Sequence, residues 1–177
     1  VTIECINGPT KPQPLSPELI YEGLTKAGTF VAGASFLFSK WATDFTKHAN
    51  QLPLFSPEIS NAAGGDANIW YYHSYWKLNK DEALHIYFTP PPCKYWNFQL
   101  NNYWMESLDY RYFNIHLNGS QATIEEDGRV HLFVAHQDPQ HPNWIETVNH
   151  NEGTMLLRWA YADSNPQPLI EVVKFSE

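Results

Sequence analysis

Tyr95-Trp96-Asn97-Phe98-Gln99-Leu100-Asn101 is the stretch that decides the fold. Side chains along a β-strand point alternately to its two faces, so the apolar residues of this stretch share one face. The other face carries side-chain amides from Asn97, Gln99 and Asn101, which we call the amide wall. Asparagine is uncommon in strands unless its side chain has a partner. The stretch therefore predicts a central strand whose polar face binds either the protein's own loops or a ligand.

Upstream, residues 16–48 carry the strongest helix signal of the chain. Ser16 is suited to cap a helix N-terminus, and Pro17 to occupy the first helical position. Apolar residues then recur at spacings of three and four, which is typical of one long amphipathic helix. We expect its apolar face to cover a sheet. The preceding residues 1–15 contain several prolines and predict an extended arm or linker.

Downstream of a loop at residues 50–68, the sequence predicts about eight short strands. They are expected at residues 69–78, 83–88, 95–101, 113–117, 121–126, 129–136, 154–161 and 169–175. A turn of hairpin length separates the first two, and Asn118-Gly119 and Asp127-Gly128 predict hairpins within an antiparallel meander. The whole predicts one domain at residues 16–177, a mainly β (α+β) antiparallel β-sandwich, jelly-roll-like, with the long helix in front.

Composition and charge exclude some classes of function. The chain has 177 residues and a net charge of −8, and its 11 lysines and arginines form no cluster. Binding to nucleic acid or to an anionic membrane surface is therefore not expected. No apolar run approaches the roughly 18 residues of a membrane span, and no signal peptide is visible. We therefore expect a soluble domain, and the sequence does not indicate its cellular compartment. Cys5 and Cys93 could pair, although an aromatic-rich core does not require it.

A second polar segment, residues 136–150, is rich in histidine. His136, Asp138, His141 and His150 are of metal-binding type, but their spacing matches no zinc motif. Histidines in such loops often hydrogen-bond backbone carbonyls and hold the loop in place. The sequence thus predicts no metal and no cofactor. A hydrolase-like or metal-dependent enzyme built on this loop stays as an alternative, with no catalytic residue assigned.

Carbohydrate recognition is a further alternative. Exposed Trp and Tyr side chains stack on sugar rings, and amides bond to hydroxyl groups. Glu106 and Asp109 could supply the two carboxylates of a glycosidase, but Asp109 beside Arg111 is better explained by an ion pair. The candidate ligand-binding residues are Asn97, Gln99, Asn101, Trp104, Asp109, Arg111, His136, Asp138, His141, Asn143 and Trp144.

These observations favour a binding or assembly module over an enzyme. Its expected partners are a polar small molecule, a carbohydrate, or a neighbouring domain or subunit. The specific site hypothesis is that the amide wall lies against the loop at residues 136–144.

Several motifs, spread over residues 16–161, also resemble one known family. They include Tyr95-Trp-Asn-Phe-Gln-Leu, Trp104-Met-Glu-Ser-Leu-Asp-Tyr, Val134-Ala-His-Gln-Asp-Pro, Pro142-Asn-Trp and Arg158-Trp. The chain is similar in these motifs to the largely bacterial domain of unknown function 1214. The resemblance implies a jelly-roll-like β-sandwich that often forms the C-terminal part of a longer chain, and it implies no reaction. An upstream domain of the same chain is then an expected partner, and apolar surface left by its absence predicts a homo-oligomer.

Overall fold

A computed structural model describes residues 1–4, 6–9 and 11–174 of the chain. They fall into two compact units, Val1–Leu37 and Phe38–Glu177. Helix α1, Pro17–Phe45, begins in the first unit and ends in the second, and the Ser16 hydroxyl accepts a hydrogen bond from the Leu19 amide at its N-terminus. The predicted helix and its cap are confirmed. Cys5 lies outside the described residues, so the structure does not test whether it pairs with Cys93.

Within the first unit, the apolar side chains of α1 are exposed. They belong to Leu19, Ile20, Tyr21, Leu24, Phe30, Val31 and Phe36. No helix in the described part of the chain has the length and apolar character needed to cross a membrane.

The second unit contains two four-stranded sheets. Its described strands are β1 (Ile69–Lys77), β2 (Glu82–Phe88), β3 (Tyr95–Leu100), β4 (His116–Asn118), β5 (Val130–Ala135), β6 (Trp144–Glu146), β7 (Glu152–Ala160) and β8 (Leu169–Lys174). A 3₁₀ turn, Thr46–His48, and a short helix α2, Pro57–Ala62, precede them. The first sheet has the order β1-β7-β3-β4 and the second β6-β5-β2-β8. Every pairing is antiparallel except the parallel pair β5–β6, so the predicted sandwich is confirmed.

Strand β3 is an inner strand of the first sheet, as its sequence predicts. Trp96, Phe98 and Leu100 are buried in the hydrophobic core that the two sheets enclose. Their neighbours on β7 include Trp159, which is paired in register with Trp96. The opposite face of this sheet points away from the core, and it carries the amide wall.

The hairpins predicted between the first two strands and at Asn118-Gly119 are wrong, because the chain crosses from one sheet to the other at both places. Strands β1 and β2 lie in different sheets, and so do β4 and β5. Asn118 accepts hydrogen bonds from the amides of Ser120, Gln121 and Ala122, which bends the chain away instead of closing a hairpin. Such crossings place the apolar faces of successive strands opposite each other, where both become buried.

Two further strand predictions failed. Residues 121–126 form no strand, although Gly128 makes the predicted turn with a positive φ of 79°. Strand β6 lies inside the segment predicted to be a loop, and it pairs with β5 through three residues only. A strand this short shows too little periodicity to be recognised from sequence.

Candidate functional site

The outward face of the first sheet forms the floor of an open cleft of about 560 Å³. This volume is in the range of small-molecule sites in proteins, about 300–1,000 Å³. Side chains from β1, β7, β3 and β4 line the cleft. The segment between β3 and β4 adds Ser107 and Tyr110 along one side.

The register of the strands places three polar side chains in one row across this floor. Arg158 on β7 is paired with Tyr71 on β1 and with Asn97 on β3. Side chains directly opposite on neighbouring antiparallel strands have Cβ atoms about 4.5–5.5 Å apart. A ligand resting on Arg158 can therefore also reach Tyr71 and Asn97.

Asn97 is the unusual member of this row. Its side chain is 5% exposed, and its Oδ1 atom has no hydrogen-bond partner among the described residues. Leaving a buried polar atom unpaired costs about 1–3 kcal/mol, so proteins rarely keep one without a reason. Because Asn97 lines the cleft, a bound molecule could supply the missing hydrogen.

Arg158 is half-buried and forms no ion pair with any described residue. Burial lowers the pKa of its guanidinium, while Tyr71 and Tyr95 act in the opposite direction. An arginine stays protonated in proteins, so the cleft floor carries an uncompensated positive charge. By contrast, Arg111 and Arg129 each lie beside an aspartate.

One hydrogen bond joins the other two amides of the amide wall. Gln99 Nε2 donates to Asn101 Oδ1 over 2.7 Å, and Asn101 is buried. Gln99 also lines the cleft. This bond orients the side chains next to Asn97, whose Oδ1 is the buried polar atom without a partner among the described residues.

The candidates between β3 and β4 have partners within their own segment. Arg111 Nε donates to Asp109 Oδ1 over 3.0 Å, and this contact lowers the pKa of the Asp109 carboxyl. The ion pair favoured from the sequence is thus present, and a low pKa is the wrong direction for the acid of a glycosidase. Trp104 is largely exposed and makes an edge contact with Tyr103.

The structure does not bring the histidine-rich loop to the amide wall, so this site hypothesis is wrong. The loop follows β5 of the second sheet, and its His141 ring packs against Phe133 of that strand. The cleft instead lies on the outward face of the first sheet, which is on the other side of the core. The amide wall and the loop are both rich in polar side chains, but they lie on different sides of the core.

The loop side chains bond to the protein itself. His136 Nδ1 is 2.8 Å from the Thr147 hydroxyl, His141 Nε2 is 2.8 Å from Glu125 Oε1, and Asp138 accepts from the Gln140 amide. Trp144 Nε1 donates to the Ala135 carbonyl. Within the described residues, no group of three or more His, Cys, Asp or Glu side chains is arranged to hold a metal ion. The contacts match the alternative in which histidines hold the loop in place.

Asn143 of the same loop is fully paired. Its Nδ2 donates to the carbonyls of Thr123 and His131, and its Oδ1 accepts from the Thr123 amide. It is 1% exposed, so its role is to bond backbone groups inside the domain.

The ligand-binding candidates named from the sequence did not include several cleft residues, above all Arg158, which was noted only within the family-like motif Arg158-Trp. A signal was present, because Arg158 interrupts the apolar strand Thr154-Met-Leu-Leu-Arg-Trp-Ala160. A lone charge inside a buried strand needs a partner or a ligand. Tyr71 and His116 were missed because only the strand pairing shows that they share a face with Asn97, whereas the alternation along β3 already places Tyr95 on that face.

His73 follows Tyr71 on the same face of β1 and is enclosed by aromatic rings. Its ring stacks on Phe45, the last residue of α1, with centroids 5.4 Å apart, and it meets Phe55 edge-on. Burial, with a smaller contribution from the charge of Arg158, lowers the pKa of His73 to about 3. The ring is therefore neutral in the folded protein at neutral pH.

This histidine makes a testable contribution to the pH dependence of stability. In the unfolded chain its pKa is about 6.5, so between roughly pH 6.5 and pH 3 the unfolded state binds the extra proton. Stability should fall as the pH is lowered through that window, by about 1–2 kcal/mol at pH 5, since the ring is only half-buried. Urea unfolding at pH 7 and pH 5 should show a smaller difference for His73→Phe than for the wild type. An equal difference in both proteins would contradict the assignment.

Comparison with known proteins identifies relatives by structure. No family model matches the sequence, and no curated protein is similar to it. The chain is similar to the crystal structure of an uncharacterised protein from Burkholderia cenocepacia, with 44% sequence identity and a TM-score of 0.91 over 96% of this chain and 47% of that one.

A second solved structure, of a protein from Vibrio parahaemolyticus, has 15% identity and a TM-score of 0.51 over 92% of this chain and 47% of that one. At this identity it shows a shared fold alone. The chain spans about half the length of both proteins.

Proposed function

We propose that the second unit is a binding module for a small polar molecule, with its site in the cleft on the outward face of the first sheet. The unpaired Oδ1 of Asn97 is the observation that carries this proposal. An exposed polar atom would bond to water at no cost, whereas this one is buried beneath a cleft that is open to solvent. A ligand that donates to it recovers a hydrogen bond that the free protein lacks.

The side chains around Asn97 suit a ligand that is polar at one end. Tyr71, Tyr95 and Tyr110 offer ring faces and hydroxyl groups, and Gln99 offers an amide held in place by Asn101. Amides and tyrosines together also bind sugars, so a carbohydrate remains within the proposal. An enzyme based on the histidine-rich loop has less support, because the ring nitrogens of His136 and His141 contact protein groups.

Asn97→Leu tests the proposal through stability and binding at once. Leucine fills a similar volume without an unpaired polar atom, so we expect the free energy of unfolding to rise by about 1–2 kcal/mol. We also expect this variant to bind the ligand more weakly, because the side chain that accepts a hydrogen bond from it is gone. Urea denaturation measures the first effect. Saturation-transfer NMR with a panel of monosaccharides, amino acids and organic acids measures the second.

Asn143→Leu is the matched control, since Asn143 is equally buried but fully paired. It should lower stability by about 2 kcal/mol or more, because it leaves backbone groups unpaired. If both variants destabilise to the same degree, Asn97 is a structural residue. A panel in which no compound binds at the cleft would also count against the proposal.

Membership of the domain of unknown function 1214 family, a partner domain in the same chain and a homo-oligomer stay as predictions. The exposed apolar side chains of α1 in the first unit support an assembly role. A monomer at high concentration in solution scattering would contradict the homo-oligomer.

A further inference from the structure

We infer that the cleft takes a small organic carboxylate that carries a hydrogen-bond donor, such as a hydroxyl group, next to its carboxylate. The inference rests on the proposed function and adds the chemical class of the ligand. Three features support it. They are the charge of the cleft lining, the different ligand groups that Arg158 and Asn97 can bind, and the tyrosines beside them.

The lining of the cleft differs in charge from the rest of the chain. The sequence holds 19 aspartates and glutamates against 11 lysines and arginines, yet none of the lining residues is acidic. Arg158 lies in the middle of the floor without an ion pair to any described residue. Its planar guanidinium can donate two parallel hydrogen bonds to one carboxylate, and such charge-assisted bonds are strong in a partly buried site. The ligand should therefore be an anion with a planar carboxylate.

Asn97 adds a second requirement that a bare carboxylate does not meet. Its Oδ1 accepts hydrogen bonds, and an ionised carboxylate has no hydrogen to give. Because Asn97 and Arg158 are directly opposite in register, two neighbouring groups of one small molecule can reach both. A hydroxyl or amino group on the carbon next to the carboxylate has this spacing.

The rest of the ligand meets rings and aliphatic side chains. Tyr71 and Tyr95 stand on the two strands that flank β7, and Ile69 and Ile115 are apolar members of the lining. A flat apolar or aromatic body would stack there and be removed from water. Mandelate, a 2-hydroxy acid with a phenyl ring, has all the required parts and serves as the probe.

Three probes separate these requirements by NMR titration of the full chain. Mandelate should bind at least tenfold more tightly than mandelamide, which lacks the negative charge, and than phenylacetate, which lacks the hydroxyl group. Arg158→Gln should weaken mandelate binding by about 10- to 100-fold and leave mandelamide unchanged, since charge-assisted bonds are lost. Asn97→Leu should remove the preference for mandelate over phenylacetate.

Arg129→Gln is the matched control for Arg158→Gln. It removes the same charge from the residue that immediately precedes β5 of the second sheet, where Arg129 lies beside Asp127. It should change none of the affinities. If Arg158→Gln fails to fold, as judged by circular dichroism, Arg158→Lys keeps the charge but loses the paired donors, and it should bind mandelate less tightly than the wild type.

Each other outcome contradicts a defined part of the inference. Mandelamide binding as tightly as mandelate, and lost in Asn97→Leu, would overturn the carboxylate while the proposed function stands. Phenylacetate binding as tightly as mandelate would overturn the neighbouring donor. If neither these probes nor neutral sugars bind in the cleft, the proposed function fails together with the ligand class. Mandelate binding that Arg129→Gln weakens as much as Arg158→Gln would point to a general effect of charge and overturn the site.

Discussion

Replacement of Trp159 by alanine should lower the free energy of unfolding by about 3–5 kcal/mol, the usual cost of removing a large aromatic side chain from a core. Trp159 is fully buried and meets Phe88 edge-on, with ring centroids 5.1 Å apart. Phe88 belongs to the second sheet, while Trp96 is the neighbour of Trp159 in the first. The substitution therefore opens a cavity where the two sheets meet. The Pro166 carbonyl also loses the hydrogen bond from the indole.

Trp104→Ala is the control, because it removes the same side chain from a surface position. Trp104 is 59% exposed, so its loss should change stability by less than about 0.5 kcal/mol. Urea unfolding followed by far-UV circular dichroism is the suitable measurement, since tryptophan fluorescence changes in both variants. Equal destabilisation by the two substitutions would contradict the position of Trp159 in the core.

The alternation of residue types was sufficient to predict the sandwich and the position of β3. The apolar side chains of residues 95–101 require a core, and a strand with such a face must pack against a second layer. Capping residues and the three- and four-residue spacing of apolar positions were sufficient for α1, which is predicted at residues 16–48 and observed at Pro17–Phe45, followed by the turn Thr46–His48. These features are local, so a sequence shows them directly.

The pairing of strands depends on parts of the chain that are distant in sequence, and it was predicted incorrectly. A turn signal such as Asn118-Gly119 shows where the chain reverses, but not whether the next strand joins the same sheet. The choice depends on burying both apolar faces, which is a property of the complete sandwich. For the same reason the sequence could indicate Asn97 as a site residue but could not place it beside Arg158, 61 positions later in the chain.

For the histidine-rich loop, the sequence indicated ligand-binding side chains that the protein uses for its own contacts. His136, His141 and Asn143 have the residue types of a ligand site, and the structure uses them to bond Thr147, Glu125 and backbone groups. Residue type gives the bonds that a side chain is able to make, while only the fold determines whether the protein already makes them. Asn97 and Asn143 are the same residue type and both are buried, but Asn143 is paired while the Oδ1 of Asn97 has no partner among the described residues.

Gly153→Ala should be the most damaging single-methyl addition in the first sheet, with an expected loss of about 2–3 kcal/mol in the free energy of unfolding. Gly153 lies at the start of β7, where it is paired with Trp76 of β1. A Cβ atom at this position would overlap the backbone carbonyl oxygen of Asn101 and lie 3.0 Å from Trp76 Nε1. Because Asn101 is held by the Thr154 carbonyl through its own amide, it cannot move aside freely. The strands must separate to admit the methyl group.

The damage should extend to the cleft, since Asn101 also accepts the hydrogen bond that orients Gln99. We therefore expect Gly153→Ala to lower both the midpoint of urea unfolding and the affinity for any ligand that contacts Gln99. Gly23→Ala is the control, because a Cβ there meets no atom within 4 Å, and alanine is favoured over glycine inside a helix. It should leave the unfolding of the second unit unchanged. If Gly153→Ala is equally harmless, β3 and β7 do not approach as closely at Asn101 as the register requires, and the placement of the amide wall would have to be revised.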